Sequence, residues 1–134
     1  MSNSIIRSYF ETKVKAWASA QVPVIPIAFE GASFTKPTTG PFLEPLLVPN
    51  VTMNHDISGN RKTMLGIFEV KVWYPSGRGM GGVEQIVNSL VSLFPLVPKV
   101  GSISVEKTPY AEHPHFDDAG WIIVPLMILY RYEA

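Results

Sequence analysis

The stretch TMLGIFEVKVWY, residues 63–74, alternates apolar and polar side chains more regularly than any other part of the chain. In an extended backbone, successive side chains point to opposite sides. Phe68 and Val70 therefore share one side. Glu69 and Lys71 share the other. This period of two predicts a strand with one buried face and one solvated face. The other predicted helices and strands precede or follow this strand in the chain.

The residues that follow, PSGRGMGG, contain Gly77, Gly79 and Gly82 at the spacing G-x-G-x-x-G. The same spacing occurs in dinucleotide-binding turns, where the first glycine directly follows a strand of a parallel strand–helix–strand unit. Here two residues lengthen the turn, and the chain has no room afterwards for repeated units of that kind. We therefore interpret the glycines as a sharp turn from a strand into a helix, since glycine tolerates positive φ angles.

Two segments have apolar residues at the spacing i, i+3, i+4 and i+7, which is typical of amphipathic helices. One follows the glycine turn and ends at Pro95. Its apolar residues are Val83, Ile86, Val87, Leu90, Val91 and Phe94. The other begins near the N-terminus and is expected to end near Gln21. Its apolar residues are Ile6, Phe10, Val14 and Trp17.

Further strands are predicted from runs of apolar and β-branched residues at 22–29, 42–48, 102–106 and 121–130. The first contains Pro23 and Pro26, which confine it to a sheet edge because proline has no N–H to donate. The predicted order is α-β-β-β-α-β-β. This order indicates an α+β fold with a mainly antiparallel sheet of about five strands and two helices on one face, as a single domain over residues 1–134.

The last predicted strand, residues 121–130, is apolar on both sides, with Ile122 on one and Ile123 on the other. Both faces of such a strand need cover. The second cover is either the first helix or a neighbouring subunit, since large exposed apolar patches are rare on small domains. Pro125 within the strand predicts a sheet edge or a bulge. Both features favour self-association.

The composition excludes several functional classes. The chain has 134 residues, 11 basic and 11 acidic side chains, and no cysteine. Cysteine nucleophiles, disulfides and cysteine metal sites are therefore excluded. The balanced charge gives no electrostatic case for specific binding of nucleic acid or of an anionic membrane. The N-terminal segment carries charges instead of the apolar core of a signal peptide, so secretion is not expected.

The segment HPHFDD, residues 113–118, is the one candidate for metal chemistry. His113 and His115 alternate and would point to one side of an extended segment, where Asp117 or Asp118 could complete a site of nitrogen and oxygen ligands. A small metal-dependent or ligand-binding enzyme is therefore the alternative function. Proline and aspartate are also ordinary turn residues, and we favour a solvated loop with no metal or cofactor.

Three motifs occur together in the middle of the chain: LVPN at 47–50, RKTMLGIFEVKVWYPSGRG at 61–79 and LFP at 93–95. In combination they resemble a family of small bacteriophage and prophage proteins related to tail terminators, of the minor tail protein U type. In that family a basic residue precedes a glycine and an alternating strand, and a Pro-x-Gly-x-Gly turn opens a helix ending in Leu-Phe. The resemblance is close over the central third of the chain, and the flanking elements agree in order and size.

The resemblance implies a structural protein without catalysis. Tail terminators form a ring, typically a hexamer, that caps the tail tube, stops its polymerisation and provides the surface on which the head docks. The expected partners are other copies of the chain, the tail tube protein and a head-completion protein. The expected location is the end of the virion tail next to the head, after assembly in the bacterial host cytoplasm. The candidate contact residues are Phe34, Trp73, Tyr74, Arg78, His113, His115, Phe116, Trp121, Ile123 and Met127.

Overall fold

The computed structural model describes residues 2–54, 62–96, 103–117 and 119–133. These residues form two helices and six strands. In chain order they are α1 (Ser2–Ser19), β1 (Phe42–Asn54), β2 (Lys62–Pro75), α2 (Gly81–Ser92), β3 (Ile103–Val105), β4 (Tyr110–Ala111), β5 (His115–Asp117) and β6 (Trp121–Glu133). The strands form one antiparallel sheet in the order β1-β2-β6-β3, and β4 and β5 also pair with β6. The predicted α+β class is confirmed.

The predicted strand at 22–29 is wrong. The segment contributes a single isolated parallel bridge, from Ile27 to Leu43, beside the outer edge of β1. Pro23 and Pro26 remove two N–H donors from eight residues, so no continuous ladder can form there. The loop predicted around the histidines instead supplies two short strands, β4 and β5.

The last strand, β6, is central, so the prediction that Pro125 marks a sheet edge is also wrong. β6 pairs with β2 along its whole length on one side and with β3, β4 and β5 on the other. The carbonyl groups of Pro125 and Leu129 face the second side, where they accept hydrogen bonds from the N–H groups of Glu112 (2.8 Å) and Glu106 (2.9 Å). The missing N–H of Pro125 therefore faces the side where the partner strands are interrupted, and the ladder with β2 loses nothing.

Both helices pack on the same face of the sheet and bury its apolar residues. The Phe10 ring of α1 stacks on Phe68 of β2 with 4.8 Å between the ring centroids, and it also contacts Phe94 and Tyr130. Phe10 is fully buried, and burying a phenylalanine contributes about 1.5–3 kcal/mol to stability. The other buried residues of the helices are Ile6, Val14, Ala18, Val83, Val87 and Leu90.

The opposite side of the sheet carries neither helix, and we call it the helix-free face. Its apolar residues come from the three long strands: Leu46, Val48, Leu65, Ile67, Ile123, Met127 and Leu129. Charged side chains of the same strands lie among them: Glu44, Glu69, Lys71 and Arg131. These residues are half-buried, except Val48, which is 46% exposed. The first helix therefore does not cover this face. Of the two alternatives for the second apolar side of the last strand, the first helix is excluded and a neighbouring subunit remains.

Candidate interaction surface

Four aromatic rings form a cluster at one end of the helix-free face. Phe42 and Trp73 are cross-strand partners, and their rings stack with 5.1 Å between centroids. Trp121 packs edge-on against both, at 5.3 Å from Phe42 and 6.1 Å from Trp73. Phe34, from the loop before β1, contacts Phe42 at 5.2 Å. The aromatic cluster is therefore assembled from three strands and one loop.

Two charged side chains complete the aromatic cluster. The Lys36 ammonium lies 4.4 Å from the centroid of the Trp73 ring and 5.9 Å from that of Trp121. Such a cation–π contact contributes about 0.5–1 kcal/mol at an exposed site. The Trp73 indole N–H donates to the carboxylate of Glu44 at 3.3 Å. These contacts fix the orientation of Trp73 and hold the loop containing Lys36 against the sheet.

The strand register brings further predicted contact residues to the same end. Trp73 pairs with Ile123, which pairs with His115, so these side chains follow Phe42 in one row across the sheet. Since paired residues on antiparallel strands share a face, the exposed His115 lies on the helix-free face. Met127 lies further along the same face, opposite Glu69 and Tyr110.

The glycine turn lies beside the aromatic cluster and makes a strand-to-helix turn, as predicted. Gly77 and Gly79 have φ angles of 91° and 77°, which other residues adopt at a cost. The ring of Tyr74 lies directly against Gly82, where a β-carbon would collide with it. Arg78 donates to the carbonyl oxygen of Thr39 at 3.2 Å and so joins the turn to the loop before β1. The surrounding sheet is antiparallel, so the turn is not part of a dinucleotide-binding unit.

Three predicted contact residues lie elsewhere. Tyr74 points to the helix side of the sheet, because it neighbours Trp73 on the same strand. Phe116 pairs with Ile122, which is also on the helix side, and it is 67% exposed. His113 lies exposed between β4 and β5. Alternation along the strand already separates Tyr74 from Trp73. The sequence gives no means to place His113 and Phe116, because strand register is not visible in it.

The candidate metal ligands do not form a cluster within the described part of the chain, where no group of three or more histidine or acidic side chains is close enough to hold a metal. His113 and His115 are both exposed. The Asp117 carboxylate accepts a hydrogen bond from the N–H of Ala119 at 3.0 Å, which is the turn geometry expected of aspartate. Asp118 lies outside the described residues.

Sequence reasoning missed Phe42, Lys36 and Glu44 in the aromatic cluster. Phe42 was expected in a strand, but its position opposite Trp73 depends on the register of β1 against β2. Lys36 and Glu44 are polar residues in a loop and on a strand, and neither carries a motif. The useful signal was the concentration of aromatic residues near the ends of predicted strands.

A separate polar network lies at the outer edge of β1. Arg7 donates to Glu30 at 2.5 Å and to Glu11 at 3.4 Å. The hydrogen bond from Arg7 lowers the pKa of the Glu30 carboxyl below its usual value, helped by a hydrogen bond from the Leu47 N–H. The same hydrogen bond raises the pKa of Arg7. Both groups are therefore charged at neutral pH.

None of the described helices is both long enough and apolar enough to span a bilayer.

Comparison with known proteins gives a consistent family assignment. A solved structure of 31% sequence identity aligns with a TM-score of 0.80, covering 98% of this chain and 96% of its own. No curated protein matches the chain. A family described as phage tail terminator protein matches residues 5–130. The chain therefore belongs to the phage tail terminator family.

Proposed function

We propose that copies of this protein form a ring, typically of six subunits, that caps the tail tube, stops its polymerisation and provides the surface on which the head docks. Membership of the terminator family gives a structural role in the phage tail and a location there. Our proposal adds three points to this: the ring, its role as a cap on the tail tube, and its role as the docking surface for the head. It places the protein at the end of the tail next to the head, after assembly in the cytoplasm of the bacterial host.

The observation that carries the proposal is the helix-free face. A sheet of three long strands has one face covered by both helices, while the other carries half-buried apolar side chains with Glu69 and Lys71 among them. Apolar side chains bordered by charged ones mark surfaces that contact other proteins. A tail protein has such contacts with its own copies and with the tube. We propose that the helix-free face supplies one of them.

The aromatic cluster is the proposed anchor of that contact. Tryptophan and tyrosine are enriched among residues that dominate binding energy, especially where packing already fixes their orientation. Trp73 is half-buried and is held by Glu44, Lys36 and the stacked Phe42 ring. A partner would therefore meet a preformed surface and would pay little conformational entropy on binding. Ile123 and His115 extend this surface across the sheet.

The proposed role is structural, without catalysis and without specific recognition of DNA. The 11 basic and 11 acidic residues give no net charge with which to hold the phosphate backbone. DNA would pass through the ring without sequence-specific contacts. The expected partners are the tail tube protein on one side and a head-completion protein on the other.

The proposal is tested by the mass of the purified chain and by its effect on tail tubes. We expect sedimentation to show a closed multimer near six copies, alone or on mixing with tube protein. Tubes polymerised with the protein present should be shorter in electron micrographs, with one end capped. A protein that neither multimerises nor changes tube length would refute the proposal.

Two charged substitutions locate the contact. Ile67→Glu and Met127→Glu each place a carboxylate on the helix-free face, where neither side chain is fully buried, and should abolish capping while the monomer stays folded. Ile5→Glu is the matched control, because Ile5 is 50% exposed on α1, away from that face. Equal loss of capping in Ile5→Glu would show that the helix-free face is not the contact.

A further inference from the structure

The outer edge of β1 offers no free hydrogen-bond donor between Leu43 and Pro49. β1 pairs with β2 on one side, so the backbone groups of alternate residues face outward on the other. Hydrogen bonds made by Leu43 and Leu47 to groups outside the sheet identify the outward set. By alternation, Pro45 and Pro49 belong to the same set. The four successive outward positions are therefore Leu43, Pro45, Leu47 and Pro49.

Two of the four outward positions are prolines, which have no N–H. An extended partner strand needs donors and acceptors in alternation along the edge it joins. At Pro45 and Pro49 it would find acceptors alone. Beyond Pro49 the register of β1 against β2 shifts, and such irregularities also disturb an edge.

The other two outward N–H groups are occupied by residues of the segment that precedes β1. The Leu43 N–H donates to the carbonyl oxygen of Pro26 at 3.0 Å, and the Leu43 carbonyl accepts from the Ala28 N–H at 2.7 Å. The Leu47 N–H donates to the Glu30 carboxylate at 3.1 Å. Arg7 of α1 holds that carboxylate in place. Residues 26–30 therefore cover the remaining donors between Leu43 and Pro49.

The opposite edge of the sheet is closed by a different device. β6 is covered there by β3, β4 and β5, which are 3, 2 and 3 residues long. Short, interrupted edge strands give an added strand no continuous ladder to follow. Both edges of the sheet therefore discourage strand addition, by independent means.

We propose that this sheet resists strand addition along β1 from Leu43 to Pro49 and along its opposite edge, so that no copy of the chain and no other extended partner joins it there through the backbone. Contacts with neighbours are made through side chains on the faces of the sheet. This inference goes beyond the ring proposal and does not depend on the number of subunits. It also accounts for two prolines four residues apart within one strand, where proline is otherwise disfavoured.

The test is to open the edge of β1. Glu30→Ala, Pro45→Val and Pro49→Val together free the Leu47 N–H and add two outward N–H groups. The folded triple variant should associate beyond the mass of the wild type in sedimentation, increasingly with concentration, and should bind the amyloid dye thioflavin T. In Glu30→Ala alone, the Leu47 amide should exchange with solvent at least tenfold faster than in the wild type.

Glu11→Ala is the matched control, since it also removes one negative partner of Arg7 and leaves the edge of β1 covered. It should show neither effect. If the buried Pro45→Val change prevents folding, Glu30→Ala with Pro49→Val still opens two successive outward positions and is expected to associate. A folded variant of either kind that keeps the mass of the wild type at all concentrations overturns the inference.

Discussion

The contact between Tyr130 and Gly66 should make alanine at position 66 costly. A β-carbon at Gly66 would lie 2.7 Å from Cζ of Tyr130, 2.8 Å from the carbonyl oxygen of Val48, and closer still to the Tyr130 hydroxyl. The Tyr130 ring is 1% exposed and has no space to move, and the Val48 oxygen belongs to a paired strand. Overpacking of this kind costs about 1–3 kcal/mol, so we expect Gly66→Ala to lower the free energy of unfolding by about 2 kcal/mol.

The Tyr130 hydroxyl makes the prediction sharper, because it is buried and has no hydrogen-bond partner among the described residues. Burial also raises the pKa of this hydroxyl, which stays neutral. Tyr130→Phe should therefore stabilise the protein by about 1 kcal/mol, since an unsatisfied buried group is removed. It also removes the atom nearest to the new β-carbon. The cost of Gly66→Ala should fall by about 1 kcal/mol in the Tyr130→Phe background.

Urea unfolding measures the free energies of unfolding of the wild type, Gly66→Ala, Tyr130→Phe and the double variant, all at one protein concentration. A loss of about 2 kcal/mol lowers the midpoint by on the order of 1 M urea at unchanged slope. Gly81→Ala is the control, because a β-carbon there meets nothing within 4 Å and lies in the first turn of α2. The reasoning is refuted if Gly66→Ala is as stable as Gly81→Ala, or if the two changes at the contact are additive.

Two further predictions concern charged groups. Hydrogen bonding to Arg7 lowers the pKa of Glu30, so its contribution to stability is present above the unfolded pKa, near 4.5, and is lost as pH falls through the folded pKa. The stability difference between the wild type and Glu30→Gln, measured by urea unfolding, should therefore be under about 1 kcal/mol at pH 7 and shrink on acidification below pH 5; a difference independent of pH would contradict this. Lys36→Met should cost about 0.5–1 kcal/mol and change the tryptophan fluorescence, whereas Lys15→Met, at an exposed position of α1, should change neither; an unchanged spectrum in Lys36→Met would argue against its contact with Trp73.

The periodic parts of the sequence predicted their own structure well. The alternation in residues 63–74 corresponds to β2, and the helical spacing after the glycines corresponds to α2. Each signal depends on one segment burying one face, which is a local property of the sequence. The sharp turn between them was also predictable, since only a few residues adopt positive φ at low cost.

The relations between segments were not predictable in the same way. Pro125 suggested an edge, but the position of a proline in a ladder depends on which side its missing N–H faces. That side is set by the register of β6 against β2, which the sequence does not show. The segment at 22–29 was apolar enough for a strand and lacked the donors to be one.

In the candidate contact surface, some residues could be predicted from single segments, whereas their contacts depend on relations between segments. Trp73 was a candidate because it lies at the end of a predicted strand, and Trp121 because it lies on the second apolar face of the last predicted strand. Their meeting with Phe42 and Phe34 follows from the register of β1 and from the fold of a loop. Tyr74 was grouped with Trp73 by sequence proximity, although adjacent residues of a strand point to opposite faces.

The break between β4 and β5 has a practical consequence for tagging the protein. Residues 112–114 connect two strands that already end there, and Glu112 and His113 are exposed. Pro125 has no N–H to donate to residues 112–114. An insertion between residues 113 and 114 would therefore break no hydrogen bond donated by Pro125. Exposed loop sites of this kind accept insertions more readily than paired strands. A short epitope or fluorophore-binding peptide inserted there would label the protein without replacing any residue of the core, two residues from His115 of the proposed contact surface.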